Sequence, residues 1–97
     1  MVICIKIKMI SGKPAIPLAA DTATKGDAVF IQMNRVLDSS GKDRNIQPGN
    51  TIQLKARKQR GLLYLPLLKF AKVFGIEKGD FIYYTVVNIL PIGYNDN

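Results

Sequence analysis

The sequence predicts a mainly β fold, a small barrel built from two copies of one strand-rich unit, with one short helix in the second copy. Three observations predict it. Apolar residues recur with period two in several short runs. Gly- and Pro-containing turn signals separate those runs. The two halves of the chain also repeat each other's landmarks in the same order. At 97 residues with 47% hydrophobic and 22% charged, the chain has the size of one small domain and enough apolar side chain for a core.

The first ten residues alternate, with Ile3, Ile5, Ile7 and Met9 to one side and Lys6 and Lys8 to the other, as in a half-buried strand. Gly12-Lys13-Pro14 stops that run, residues 15–18 read as a short second strand, and Lys25-Gly26-Asp27 marks a turn before a third strand over residues 28–33. Residues 38–50, DSSGKDRNIQPGN, have the composition of a linker. Beyond it, Ile52 and Leu54 alternate with Gln53, Lys55 and Arg57, in a strand whose basic tract reaches Arg60 before a turn at Gly61. Residues 62–65 read as another strand. Leu67, Leu68, Phe70, Ala71 and Phe74 then follow helical spacing, and Gly75 is placed to end that helix in the left-handed conformation. Lys78-Gly79-Asp80 makes the next turn, residues 81–90 form the most strand-like run, and Pro91 stops it.

KIKMISGKPAIPL overlays KARKQRGLLYLPL at an offset of 49, pairing Gly12 with Gly61 and Pro17 with Pro66. KGDAVFIQMNRVL overlays KGDFIYYTVVNIL at an offset of 53, pairing Gly26-Asp27 with Gly79-Asp80. The difference of four residues is about one helical turn, so the second copy is expected to keep a helix that the first has lost. The expected plan is one domain: repeat one at about 2–38, a linker at about 39–50, repeat two at about 51–91 and a loose tail at 92–97. A unit this small cannot bury its own apolar face, so the copies should interlock about an approximate two-fold axis. Gly12, Gly26, Asp27, Gly61, Gly79 and Asp80 are the expected structural turn residues.

Gly61, Leu65-Pro66, the helix ending Phe74-Gly75-Ile76 and the Gly79-Asp80 turn before a strand follow one another within residues 52–86. In that order and spacing they resemble the AbrB/SpoVT/MazE swapped-hairpin family, and the internal repeat extends the resemblance to residues 3–32. The stretch between Pro66 and Gly75 is one residue longer than is usual there, and the first repeat has almost no helix. The resemblance therefore implies a single-chain, asymmetric swapped-hairpin β-barrel in place of a dimer of identical chains. It also implies a transcriptional regulator of AbrB type whose partner is double-stranded DNA, cytoplasmic and nucleoid-associated.

Charge agrees with a polyanionic partner: 14 Lys plus Arg against 7 Asp plus Glu leave +7. From Arg44 to Ile76 there are seven basic residues and no acidic one, with Lys55, Arg57, Lys58 and Arg60 within six positions. Alternation places Lys55 and Arg57 on one strand face, and the repeat places Lys6 and Lys8 at the matching positions. The family resemblance points to Arg57, Lys58, Arg60 and Lys69. The candidate DNA-binding set is thus Lys6, Lys8, Lys55, Arg57, Lys58, Arg60 and Lys69, with a merely solvated strand face as the alternative. Lys72 is weighed with Lys69 as helix decoration, and Lys13, Lys42 and Arg44 are read as exposed turn residues in preference to a grip on phosphate.

Tyr64, Phe70, Phe74, Phe81, Tyr83 and Tyr84 are read as core in preference to a base-stacking surface, and Cys4 as a small core residue. With no His, one Cys and no nucleophile–base set, neither an enzyme nor a metal or cofactor site is expected. MVICIKIKMI is too short and too charged to span a bilayer, so no membrane role is expected. A lone cysteine cannot form an intrachain disulfide and fits a reducing compartment. Three further partnerships stay open: an antitoxin-like module bound to a toxin or another protein, a sequence-nonspecific architectural chromatin protein, and a homodimer.

Overall fold

Alternation makes the strands, but the two basic runs that open the repeats each break once. The structure, a computed structural model, describes residues 1–91; the tail expected at 92–97 lies outside them. In chain order the elements are β1 (Ile3–Lys6), β2 (Lys8–Ile10), β3 (Lys13–Pro17), β4 (Ala28–Leu37), β5 (Asn50–Lys55), β6 (Arg57–Gln59), β7 (Leu62–Pro66), α1 (Lys69–Phe74) and β8 (Phe81–Leu90). They form two four-stranded antiparallel sheets, β1-β8-β4-β5 and β2-β3-β7-β6. The bounds of β2, β3 and β4 coincide with those of β6, β7 and β8 at the offsets of 49 and 53, and when these partners are exchanged, and β1 with β5, each sheet order is recovered read in reverse.

The breaks fall at Ile7 and Ala56, and both have the same cause. The Ile7 N–H donates to the Asp80 carbonyl at 2.8 Å and its carbonyl accepts from Gly79 N–H at 3.4 Å. The Ala56 N–H donates to the Asp27 carbonyl at 2.9 Å and its carbonyl accepts from Gly26 N–H at 2.8 Å. Each basic run is therefore pinned at its middle by the Gly-Asp turn of the opposite half, and the chain passes from one sheet to the other at that point. The strand expected over the first ten residues is thus two strands in two sheets. Met9, expected beside Ile3, Ile5 and Ile7, is 42% exposed.

Asp27 and Asp80 hold those turns from inside. Each carboxylate accepts a backbone N–H three residues earlier, Thr24 at 2.8 Å and Glu77 at 2.9 Å, and both side chains are buried. Burial without such partners would cost several kcal/mol, about 1–3 per lost bond and more for a charge.

β4 runs to Leu37 instead of ending near residue 33, because it pairs with β8 along its length, with register shifts at Phe30/Ile31 and Met33/Arg35. The sheets pack through β1 on β3 and β5 on β7. Ile16, Ile31, Met33, Leu65, Leu67, Ile82 and Tyr84 lie fully buried between them, each such side chain contributing about 1.5–3 kcal/mol.

The helix begins two residues later than its spacing predicts. Leu67 is drawn into the sheet, its N–H donating to the Pro14 carbonyl at 3.1 Å, and Leu68 takes φ 51° in the turn that follows. At the other end Gly75 adopts φ 67°, while the N–H groups of Gly75 and Ile76 donate to the carbonyls of Lys72 and Ala71, the paired bonds of a Schellman ending. In the first repeat a tight turn replaces the helix, with Thr22 donating through both its N–H and its hydroxyl to the Ala19 carbonyl.

The connection between the halves is folded back on itself. Asp38 accepts the N–H groups of Ser40 and Lys42 and the Ser40 hydroxyl, and the Arg44 N–H donates to the Val36 carbonyl. Arg44, expected to be an exposed turn residue, instead reaches Asp80 through Nε at 2.6 Å and Nη2 at 3.1 Å, and Glu77 through Nη2 at 3.1 Å. These partners raise its already high pKa, the Asp80 hydrogen bond most.

Candidate nucleic-acid interface

Two Arg side chains are used inside the fold: Arg44 on Asp80 and Glu77, and Arg35 on Asp43 at 3.0 Å. Among the described residues the other twelve of the 14 cations form no ion pair. The acids, by contrast, are largely committed to structure. Asp27 and Asp80 are buried in turns, Asp38 caps the connection, and Asp43 and Glu77 bind Arg. The field outside the molecule is accordingly set by the cations.

Arg57 and Lys58 lie on β6, every residue of which is exposed. Arg57 stands opposite Tyr64 and Lys58 opposite Leu63. Facing residues share a side and neighbours alternate, so Arg57 and Gln59 project from one face of this ribbon and Lys58 from the other. Arg60 and Gly61 form the turn with φ 51° and 79°, and Ser11 and Gly12 form its counterpart with φ 53° and 76°. Positive φ at both central residues gives the two-residue hairpin whose twist matches the strands. The two turns are tied: Ser11 Oγ donates to Gln59 Oε1 at 2.7 Å.

This tie extends the basic surface to α1. Lys13, two residues beyond Ser11, shares a groove with Pro14, Leu68, Lys69 and Lys72. Lys55 and Lys69 line an adjoining groove with Gln53 and Phe70, and Lys69 Nζ lies 5.4 Å from the Phe70 ring centroid. Beside the second turn, Lys58 shares a groove with Lys25, Asp21 and Gly61. Of the expected residues, then, Lys55 and Lys69 line one groove, and the hairpin carrying Arg57, Lys58 and Arg60 is tied to the first hairpin through Ser11 and Gln59.

The break at Ala56 corrects one expectation: Lys55 and Arg57 belong to different sheets, as do Lys6 and Lys8. Lys8, opposite Ala15, and Arg57, opposite Tyr64, occupy matching positions on one face of the second sheet. Lys6 lies elsewhere, its Nζ 6.0 Å from the Phe81 ring centroid. Lys13 and Lys72, weighed in the sequence but kept out of the candidate set, and Lys25, read there only as part of a turn, are the residues that the structure adds beside it. The signal available for Lys13 was its place beside Gly12 in the repeated turn.

The aromatic residues divide. Tyr64 and Tyr84 are buried; Phe70 and Phe74 pack half-buried against the core, their ring centroids 6.3 Å apart. Burial pushes the Tyr84 hydroxyl pKa up. Phe81 and Tyr83, expected in the core, alternate with the buried Ile82 and Tyr84 and so face outward. Cys4, expected as core, is exposed beside Tyr83, and its hydrogen bond is the main cause that raises the Tyr83 pKa.

No protein-family model, curated protein or solved structure matches this chain. Among the described residues no cluster of three metal-ligating side chains occurs and no helix is long and apolar enough to cross a membrane.

Proposed function

We propose that this chain is a double-stranded DNA-binding transcriptional regulator of AbrB type, a single-chain swapped-hairpin barrel made of two repeats. The observation that carries the reading is the run of cations, without ion pairs among the described residues, from Lys69 and Lys72 on α1, through Lys13 in the first hairpin, to Arg57 and Arg60 on the second, with Lys58 on the other face of that ribbon. Phosphates are bound by cations that release counterions, and an Arg held on an exposed ribbon can also make a bidentate contact with guanine in the major groove. The tied turns support a presentation of both hairpins to one duplex.

Fluorescence anisotropy of a labelled duplex at low salt tests the reading on wild type and on Arg57→Ala/Arg60→Ala. Binding by wild type and at least tenfold weaker binding by the variant are expected. Absence of duplex affinity in wild type, or equal affinity in the variant, would remove it.

A further inference from the structure

The outer face of the first sheet is unlike an ordinary solvated face. Val29, Ile31, Ile82 and Tyr84 point inward and are buried, so Phe30, Phe81 and Tyr83 point outward by alternation. Neither Phe30 nor Phe81 packs against the core cluster. Phe81 is 36% exposed and Val87 48%. Cross-strand pairing sets Lys6 and Leu37 opposite Phe81, Cys4 and the Asp43-bound Arg35 opposite Tyr83, Gln53 and Asn88 opposite Phe30, and Lys55 opposite Ala28.

We propose that this face binds single-stranded nucleic acid, with Phe81 and Tyr83 stacking successive bases, Phe30 receiving a base further along, and Lys6 and Lys55 holding the backbone. Phe81 and Tyr83 are two residues apart on one strand, about 7 Å, a spacing that accepts unstacked neighbouring bases. Gln32, Gln53 and Asn88 offer amide donors and acceptors to base edges. Charge selects this occupant over a second copy of the chain: Lys6 and Lys55 flank the face in a protein of net charge +7, so face-to-face pairing brings like charges together and a polyanion neutralises them. The aromatic residues of this face lie apart from the Arg57–Arg60 hairpin proposed for duplex DNA, and the two surfaces meet at Gln53 and Lys55.

The test uses labelled 12-nucleotide oligo(dT) and oligo(U), a duplex of equal length, and the full chain. The chain has no Trp and four Tyr, so quenching of tyrosine emission that Tyr83→Leu abolishes reports stacking on Tyr83. Expected are binding of one or both single strands with quenching of tyrosine emission, and about tenfold or greater weakening in Phe81→Leu/Tyr83→Leu while duplex affinity changes less than twofold. Preference between the two oligonucleotides identifies RNA or DNA as the source. Circular dichroism melting shows whether the variant is folded; should it be unfolded, the wild-type quenching and its resistance to competing duplex decide. Single-strand binding without quenching, equal affinity in a folded variant, or a concentration-dependent dimer that binds no single strand would overturn the proposal.

Discussion

Arg44 illustrates how a charge can be committed to the fold at the residue scale. Its guanidinium closes over Asp80, whose side chain is 1% exposed, while remaining 26% exposed itself. Removing one partner of a fully buried pair costs about 3–5 kcal/mol, and the partial access of Arg44 to water lowers that, so Arg44→Met is expected to cost about 2–3 kcal/mol in urea unfolding. A loss below about 0.5 kcal/mol would make the pair ornamental. Leu68 is the opposite case. Its φ of 51° with ψ of −128° is strained for a side chain that is 58% exposed; such sparsely populated backbone costs about 1–3 kcal/mol, against roughly 0.5–1 kcal/mol for glycine's extra freedom when unfolded. Leu68→Gly should therefore leave the melting temperature unchanged or raise it, whereas Leu67→Ala, in the core, should cost about 2–5 kcal/mol. A large loss in Leu68→Gly would show that its side chain matters more than its backbone.

Single residues were also where the sequence was least legible. Strand alternation says that Phe81 and Tyr83 lie opposite Ile82 and Tyr84, but not which of two apolar faces is inside, and a run apolar on both faces leaves that undecided. Cys4 was misplaced by residue type, since a free cysteine is usually buried, although alternation puts it on the side of Lys6.

Elements were legible where chemistry leaves few choices. Glycine tolerates positive φ, so Gly12, Gly61 and Gly75 marked two hairpin turns and a helix end. The splits at Ile7 and Ala56 were hidden, because they depend on hydrogen bonds to turns about 73 and 29 residues away in sequence. The connection after β4 read as a loose linker from its composition, yet its polar side chains satisfy its own backbone. That local bonding gives it a pH dependence. The Ser40 hydroxyl and the Lys42 N–H hold the Asp38 pKa down, and the Asn45 N–H and Arg35 do the same for Asp43. A lowered folded pKa means that this stabilisation is present above the unfolded value near 4 and is lost as pH falls through the folded one. Thermal stability should therefore decline below about pH 4, less steeply in Asp38→Asn. An identical acid profile in that variant would contradict the assignment.

For the whole molecule, the reciprocal bonds between Ile7 and Gly79-Asp80 and between Ala56 and Gly26-Asp27 make each half depend on the other. Either repeat expressed alone is expected to lack cooperative unfolding, and a sharp melting transition in an isolated half would oppose this. The spacing of the repeated turns was legible at this scale because every landmark is a Gly, Pro or Asp with its own backbone role. The candidate interface was only partly so: the charge density of residues 55–60 could be read, but the arrival of Lys13 beside Lys69 and Lys72 requires the hairpin to fold.

The central claim is that these hairpins and α1 present cations to duplex phosphates, and the salt dependence of duplex affinity tests it most directly. Each neutralised phosphate adds about −0.9 to the slope of log K against log salt. Wild type is expected to give a steep negative slope, and Lys55→Ala/Arg57→Ala/Lys58→Ala/Arg60→Ala a slope shallower by up to about 3.6. The same slope in both proteins, or no duplex binding at the lowest salt, would contradict the account.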